Sequence, residues 1–354
     1  MSGARPDVEE GGEACALDRA VLAGLAELER RRFRAPEVLV FCSTGVGMLP
    51  ARLEGAERLP FGRIAGAPAP WKDVLLYAGM LGPLAVWLAD DAPAAAASQH
   101  GKPRVHAAPR SALAPCSGGP GARVVIDVSA GVALPAPARR ALVPGSIAVA
   151  SDHLNLSGTT PLVGLGASKL GPLFPDTSQL HHAALREAAL RHAKELGIAA
   201  RAAVVACTVG PALETPAERA FWAKAGAAVA VQGLADPLLA SAHAGLACLA
   251  LVAVTDAGDE PGDLGQLVAA ADRLAPALED LIVALVPDLR RAADELGVEE
   301  GARPARSRSS SPAAGAASRT SPRRSRAASS TRGSGSSSRA RRRPSRSSAR
   351  AASA

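Results

Sequence analysis

The sequence lacks the cysteine pattern of a disulfide framework or of a zinc site. Its five cysteines are scattered without a C-x-x-C pair, and two of them, Cys42 and Cys207, lie in apolar runs typical of buried strands. An odd number of buried thiols favours a reducing compartment over a disulfide-stabilised fold. We therefore expect neither disulfide bonds nor a bound metal ion.

Signals for export and for membrane insertion are also lacking. The acidic segment over residues 1–14 has no apolar core of the kind found in signal peptides. No uninterrupted apolar run reaches about 18 residues, the length that crosses a bilayer. These absences predict a cytoplasmic protein without a membrane span.

Lysine, aspartate and glutamate are absent from residues 301–354, a segment with 14 arginines and 17 serines. Without those 14 arginines, the 40 basic residues of the chain fall to 26 against 33 acidic ones, so residues 1–300 carry a net charge of −7. The basic charge therefore comes from the tail and not from a folded nucleic-acid-binding surface. Because the tail has too few large apolar residues to bury a core, we predict that residues 299–354 are disordered.

Two interpretations of this tail are open. Its arginines could bind RNA or DNA through phosphate groups in a salt-dependent manner, the only nucleic-acid contact that the sequence suggests. Alternatively, the tail is an appendage without a function, and its Arg/Ser/Ala/Pro mixture is also what a GC-rich gene yields when it is read out of frame.

Apolar runs alternate with helix-period stretches from Val38 to about Leu296, a pattern typical of an α/β domain. We predict this domain over residues 16–298, after a flexible N-terminal segment over residues 1–15, with loops at Ala92–Gly121 and Ser157–Pro175. The predicted strands, which imply one sheet, are Val38–Phe41, Leu84–Leu88, Val124–Val128, Ile147–Ala150, Ala203–Cys207, Ala227–Val231 and Leu249–Val254. The predicted helices are Leu17–Arg32, Gln179–Leu196, Pro216–Ala225, Pro237–Ala244 and Leu264–Leu296 with a break near Pro287.

Three polar segments follow predicted strands, and the first is Ser43-Thr44-Gly45-Val46-Gly47. It precedes a predicted helix, and its backbone N–H groups together with the Thr44 hydroxyl could hold an anion. The segment matches neither GxGxxG nor GxxxxGKT, so dinucleotide-binding and P-loop functions lack support. A tight turn without a ligand is the alternative.

The second segment runs from Ser151 to Leu162 and reads SDHLNLSGTTPL. Polar residues at the end of a strand face the ligand crevice of an α/β sheet. The Asp-His-Asn run could equally brace a loop from within.

The third segment runs from Gly210 to Glu218 and reads GPALETPAE. Thr215 suits a helix N-cap, Pro216 the first helical position and Glu218 the partner in a capping box. Glu214 has no such structural role, and a positioned glutamate can accept hydrogen bonds from the ring N–H groups of a purine. A solvated loop carboxylate is the alternative.

In combination these segments resemble the trimeric purine nucleoside phosphorylases. The resemblance rests on STGVG, SDHLNLSGTTPLVG, FPDTS at Phe174–Ser178, GPALETPAE and an apolar strand ending in Thr255-Asp256, and it covers roughly residues 20–286. It implies one α/β domain whose mixed sheet is partly closed into a barrel and surrounded by helices. It also implies a homotrimer that acts in purine salvage.

The resemblance implies phosphorolysis, in which inorganic phosphate and a purine nucleoside give a free base and a pentose 1-phosphate without a metal or organic cofactor. Thr44 would contact phosphate through its hydroxyl, and Ser129-Ala130-Gly131 would border the phosphate with a backbone turn. Glu214 would bind the edge of the purine ring, while Asp256 would meet N7 and the 6-substituent. Phe174 would reach into the sugar pocket of a neighbouring subunit.

Other positions depart from the family pattern. Where the family has an Arg and a His beside the phosphate, this sequence reads Trp87–Ala92 with Asp90 and Asp91. A like-charged carboxylate weakens phosphate binding unless another cation enters. Candidates for that cation are Lys102, Arg104 and Arg110. The further replacements are Leu213 for an aromatic residue, Gln232-Gly233 for a Met-Ser pair at the base site and Val128 for an Asn.

Histidines are the remaining candidate general acids or bases. We interpret His243, in an HAGL pattern shared with the family, as structural, and His181-His182 as solvated residues at the start of a surface helix. The departures leave a second function open, that of a family member which has lost phosphorolysis and acts as a nucleoside-binding or structural protein.

Overall fold

The computed structural model describes residues 30, 34–43, 48–63, 74–90, 121–137, 141–158, 160–162, 171–172, 174–257 and 263–302. All of them lie in Met1–Ala305, the first of two units into which the chain divides. The predictions for the N-terminal segment, the first helix, the loop at residues 92–120 and the Arg/Ser tail beyond Ala302 fall outside the described residues, apart from the single helical residue Arg30. Residues 299–302, predicted as the start of the disordered tail, are instead the end of the last helix.

A mixed sheet of nine strands forms the centre of the described structure, in the order β2-β3-β4-β1-β5-β8-β7-β6-β9. Strand β5 also pairs with β9, so β5, β8, β7, β6 and β9 close into a ring. This confirms the mixed, partly barrel-closed sheet. The strands are β1 (Val38–Cys42), β2 (Glu54–Pro60), β3 (Leu75–Leu81), β4 (Leu84–Asp90), β5 (Val124–Ala133), β6 (Ile147–Asn155), β7 (Ala200–Thr208), β8 (Val229–Gln232) and β9 (Ala247–Ala257).

Helices cover the sheet, and their bounds follow the sequence pattern closely. Those in the described part of the chain are α1 (Ala183–Glu195), α2 (Pro216–Lys224), α3 (Ala235–His243), α4 (Leu264–Ala284) and α5 (Val286–Ala302). The predicted break near Pro287 is confirmed, because α4 ends at Ala284 and α5 begins at Val286. None of the helices in these ranges is long and apolar enough to cross a membrane.

Alternating residues of the buried strands supply two cores. Val38, Val40 and Ile126 pack on one side of the sheet with leucines of α4 and α5. Leu39, Phe41 and Val125 pack on the other side with residues of α3 and of the ring. Because both faces are covered, these strands read as continuous apolar runs in the sequence.

Two strands, β2 and β3, were not predicted, so the count of seven strands is wrong. Strand β2 reads EGAERLP and is largely exposed, because it is an edge strand that pairs with β3 alone. A charged edge strand has no apolar alternation to reveal it. Strand β3 joins β4 through a two-residue turn at Gly82 (φ 57°) and Pro83. The Gly-Pro dipeptide between two apolar runs is the signal for this hairpin, which the prediction of seven strands left out.

Two further expectations are corrected by strand pairing. The strand predicted at Ile147–Ala150 continues through the polar residues to Asn155, because β7 pairs with it from Ile147↔Ala200 to Asn155↔Cys207. The glycine-rich turn does not lead into an α-helix; the described chain resumes with a short 3-10 helix, Leu49–Arg52, and then β2.

Candidate functional site

Strand β5 changes partners along one edge, and this change creates a gap in the sheet. Its first half pairs with β1 up to Cys42↔Val128, and its second half pairs with β8 from Val132↔Ala230. On that edge none of the described strands pairs with Ser129, Ala130 or Gly131. Such a switch in strand pairing opens a crevice in which a ligand can reach the backbone.

The residues Ser129-Ala130-Gly131 lie in β5 itself, so the predicted backbone turn is wrong. The opposite edge of this stretch pairs with β9, at Ser129↔Val252 and Gly131↔Val254. Gly131 has no side chain because there is no room for one: an added Cβ would lie 2.7 Å from the Ala230 carbonyl oxygen. The strand is therefore in close contact with both β8 and β9 at this point.

Two serine hydroxyls meet at the gap. The Ser43 hydroxyl lies 3.0 Å from the Ser129 hydroxyl and 3.1 Å from the Val128 carbonyl oxygen, and the Ser43 backbone N–H donates to that same carbonyl at 3.0 Å. Because Ser43 donates its single hydroxyl proton to that carbonyl, the Ser129 hydroxyl donates to Ser43, and it can rotate to donate to a ligand instead. Ser43 directly precedes Thr44 in the chain, and Thr44 lies outside the described residues.

Glu214 is buried, with 5% of its surface exposed, so the alternative of a solvated loop carboxylate is wrong. Its Oε2 atom has no hydrogen-bond partner among the described residues and lies 3.8 Å from Nη2 of Arg219, whose side chain is 1% exposed. An ionised carboxylate accepts several hydrogen bonds. Glu214 is therefore held beside a cation, and its Oε2, itself buried, has no hydrogen bond within the described structure.

The start of α2 fixes the position of Glu214. Thr215 caps the helix by accepting from the Glu218 N–H at 3.2 Å, and the Glu218 carboxylate accepts from the Thr215 N–H at 2.8 Å. The predicted capping box is confirmed, with Pro216 at the first helical position. Since Glu214 directly precedes the cap, its backbone is held at the positive end of the helix dipole.

Gln232 braces the loop that carries Glu214. Its Nε2 donates to the Ala212 carbonyl at 2.9 Å, and its Oε1 lies where a side chain on Gly210 would clash, 2.2 Å from the position of a Cβ. The structure thus places the predicted base-site residue Gln232 against the GPALE loop. Its amide nitrogen is used within the protein.

Asp256 lies at the end of β9, half-buried, with Val132 of β5 as its partner in register. Its Oδ1 accepts the Ala257 N–H at 2.8 Å. Because Val132 also pairs with Ala230 of β8, the second half of β5 brings Ser129, the end of β8 and Asp256 to one region. Phe174, by contrast, is 89% exposed.

Where a cation that binds phosphate was expected, the sequence has acidic residues instead. Asp90 ends β4 as the register partner of Cys42, the residue before Ser43. Asp91 and the candidate cations Lys102, Arg104 and Arg110 lie outside the described residues. Within the described part of the chain, the groups placed at the gap beside Ser129 are therefore hydroxyl and backbone groups.

The histidines are placed differently from the prediction. His182 caps α1, with its Nδ1 accepting from the Leu185 N–H at 3.4 Å, so the helix begins after the pair. His181 is 8% exposed, and burial together with the neighbouring His153 lowers the pKa of His181 to about 4. Burial also lowers the pKa of His153, against the opposing charge of Asp152. The prediction that His181-His182 are solvated is therefore wrong for His181.

His243 is 2% exposed at the end of α3, which agrees with its structural interpretation. Sequence reasoning missed the clustering of His181 with His153, because the two residues are 28 positions apart and meet only through the sheet. It also missed Arg219 as the partner of Glu214. A spacing of five residues does not predict an ion pair here, because Glu214 lies outside the helix.

The chain is similar in sequence to known phosphorylases. A sequence model described as the phosphorylase superfamily matches residues 73–287. Purine nucleoside phosphorylase 1 of Geobacillus stearothermophilus is 26% identical over 246 residues, which is 68% of this chain and 85% of that protein. Purine nucleoside phosphorylase 1 of Bacillus subtilis (strain 168) is 27% identical over 146 residues, 40% of this chain and 54% of that protein.

Solved structures share the fold. A Schistosoma purine nucleoside phosphorylase in complex with hypoxanthine superimposes with a TM-score of 0.68 at 20% identity, covering 77% of this chain and 98% of that one. The Schistosoma mansoni enzyme in complex with adenosine gives a TM-score of 0.67 at 20% identity, with the same coverage.

Proposed function

Because the chain belongs to the phosphorylase superfamily, as a divergent member of its purine nucleoside phosphorylase family, we propose that it phosphorolyses purine nucleosides. In this reaction an oxygen of inorganic phosphate attacks the anomeric carbon, the bond from that carbon to the purine nitrogen breaks, and the base leaves with the electron pair and takes up a proton. The products are a free purine and a pentose 1-phosphate.

The observation that carries the proposal is the buried Glu214 carboxylate. An acceptor in a buried site discriminates strongly, because a ligand without the matching donor leaves the acceptor unsatisfied. The ring N1–H of hypoxanthine and guanine is such a donor, whereas adenine has no proton on N1. Glu214 therefore favours 6-oxopurine nucleosides.

Asp256 supports the departure of the base from the other side. A carboxylate can accept a hydrogen bond from a protonated N7, which stabilises the purine as it leaves with negative charge. It can equally accept from a 6-amino group. The preference of Asp256 for 6-aminopurines opposes that of Glu214, so the substrate order is a question for measurement.

The gap in β5 is the proposed phosphate site. Ser129, Ala130 and Gly131 border it with backbone groups on the unpaired edge, and the Ser129 hydroxyl, 3.0 Å from that of Ser43, can rotate to donate its proton to phosphate. Thr44 follows directly in the chain and adds a further hydroxyl. Neutral hydroxyl and N–H donors bind an anion without a compensating cation, at the cost of a weaker interaction than an arginine provides.

The test is base release from inosine, guanosine and 5′-methylthioadenosine with and without phosphate. We compare the wild type with Glu214→Gln and with Glu218→Gln, a matched change four residues away that keeps the capping box, since Gln also serves there. Phosphate-dependent release should be lost in Glu214→Gln and kept in Glu218→Gln. Release that does not require phosphate, or that survives in Glu214→Gln, contradicts the proposal.

Because Glu214→Gln removes the carboxylate beside the buried Arg219, a second variant distinguishes a loss of activity from a loss of folding. The double variant Glu214→Gln/Arg219→Met removes both charges together, so it should fold and still release no base. Circular dichroism and a melting curve measure folding in each variant.

A nucleoside-binding protein without phosphorolysis is the second candidate, and the position of Asp90 favours it. Position 90 is the register partner of Cys42 at the end of β1, next to the Ser43 hydroxyl. An aspartate there opposes a phosphate dianion by about 1–4 kcal/mol in partly solvated surroundings. Tight inosine binding in calorimetry with no phosphate-dependent turnover selects this candidate, whereas a lower phosphate KM in Asp90→Asn selects the enzyme.

The assembly proposed for this function is a homotrimer in the cytoplasm. The 89% exposed Phe174 supports it, since a large apolar side chain in that position can insert into a neighbouring subunit. Cys42, Cys207 and Cys248 are buried and form no disulfide bond, which supports a reducing compartment. Light scattering at micromolar concentration should give three chains per particle, and Phe174→Ser should lower that number.

A further inference from the structure

Asp152, His153 and His181 form a cluster that the proposed reaction does not use. Each of the three offers one ligand atom, and these atoms all lie within 4.8 Å of one another. His153 Nδ1 and His181 Nε2 are 3.1 Å apart, and the two rings meet edge to face with centroids 5.3 Å apart. In the described part of the chain this is the group whose chemistry is closest to that of a metal centre.

The distance between the two ring nitrogens fits either a hydrogen bond or a shared metal ion. Without a metal ion, one neutral ring donates its N–H to the other nitrogen at 3.1 Å; with a metal ion, both nitrogens present lone pairs to it. In a tetrahedral zinc site with Zn–N bonds of about 2.0–2.1 Å, the nitrogens of two histidines are about 3.3 Å apart. The nearby Asp152 carboxylate is negatively charged and therefore favours a divalent metal ion over a single proton at this position.

The backbone holds these ligands firmly. Strand β6 has a bulge between Ala150 and Asp152, and bulges redirect the side chains beside them. The Asp152 carboxylate folds back over the strand, with its Oδ1 accepting the His153 N–H at 2.8 Å. A carboxylate held in this way keeps an oxygen directed towards the cluster.

His181 is fixed from the other side by β9. The Cys248 N–H donates to the Leu180 carbonyl and the His182 N–H donates to the Cys248 carbonyl, both at 3.0 Å, so that His181 is bridged to Cys248. The three ligands therefore lie on rigid elements, which a metal site requires. Because Asp152 is exposed and His153 half-buried, solvent can supply the ion and a fourth ligand.

We propose that Asp152, His153 and His181 bind one divalent transition-metal ion of the Zn²⁺ type, with water as the fourth ligand. The ligand atoms are His153 Nδ1, His181 Nε2 and a carboxylate oxygen of Asp152. Imidazole nitrogen and carboxylate oxygen are ordinary zinc ligands, and three protein ligands with one open position make a complete set. The ion links β6 to the segment that leads into α1. This assignment does not depend on the proposed reaction.

The experiment uses the full, untagged chain after treatment with EDTA and removal of the chelator. Zn²⁺ is titrated by calorimetry at neutral pH, and Co²⁺ is titrated by visible absorption, because its d–d bands report nitrogen and oxygen coordination. The test variants are His153→Gln and Asp152→Asn. The matched controls are His192→Gln, which removes the other histidine–carboxylate group, and Asp176→Asn, an exposed aspartate that also accepts a backbone N–H.

The expected result is one ion per chain, with an affinity at least about tenfold weaker in His153→Gln and Asp152→Asn, since even changes outside the ligand set cost that much. Both controls should bind like the wild type, and saturating Zn²⁺ should raise the melting temperature of the wild type but not of His153→Gln. The proposal is overturned by the absence of saturable binding, by unchanged binding in His153→Gln, or by loss of binding in His192→Gln.

Discussion

Removing one charge of the Glu214–Arg219 pair should destabilise the protein more than removing both. The two side chains are 3% and 1% exposed and their charged atoms are 3.8 Å apart. At that distance, with an effective dielectric constant of about 20, the attraction is about 4 kcal/mol. A single change leaves the other charge buried without its partner, which costs about 3–5 kcal/mol.

The perturbations are Arg219→Met, Glu214→Gln and the double variant. We expect each single variant to lose about 4 kcal/mol in its free energy of unfolding, which lowers the melting temperature by roughly 10 °C. The double variant should regain most of this loss, because two neutral side chains of similar size can replace a buried ion pair. The double-mutant cycle isolates the pair from other contacts of Arg219.

The assay is urea denaturation at pH 7, followed by tryptophan fluorescence, to which Trp222 on the same helix as Arg219 contributes. Because the unfolding is measured without nucleoside, it reports what the ion pair contributes to stability and not what it contributes to binding. A coupling energy under about 1 kcal/mol is the value of a solvent-screened surface pair. That result would refute the reasoning that Glu214 is held as a buried ion, and with it the basis for purine recognition.

Other perturbations test the remaining structural conclusions. Thr215→Ala should cost about 1 kcal/mol of unfolding free energy by removing the α2 cap, while Thr215→Ser keeps it; equal melting temperatures for the two variants would contradict the capping box. His181 has a pKa of about 4 against 6.5 for an unperturbed histidine, so the unfolded chain binds the proton first as pH falls. In EDTA, the wild type should therefore lose about 3 kcal/mol of stability between pH 6.5 and pH 4 relative to His181→Gln. Parallel pH profiles for the wild type and His181→Gln would rule out this titration. Gly131→Ala should cost about 1–3 kcal/mol by overpacking the junction of β5, β8 and β9; unfolding in urea measures it, and a neutral effect would mean that the junction can shift.

The sequence by itself determined the fold class and most elements, because the information there is local. Each buried strand is a continuous apolar run covered on both faces, so the seven predicted strands lie where they were expected. The Thr215 cap and the break before Pro287 follow from residues adjacent in the chain. Strand β2 was missed because its residues are held by pairing with β3 alone, a contact that local composition does not encode.

Only the tertiary structure decided how the polar residues combine, because their partners are distant in sequence. The barrel joins β5 to β8 and β9, which sets Ser129 beside the gap left between β1 and β8. Folding α2 against the barrel buries Arg219 against Glu214. The bridge to Cys248 carries His181 across 28 positions to His153. Residue types and caps are properties of a segment, whereas burial, charge pairing and ligand geometry belong to the closed sheet.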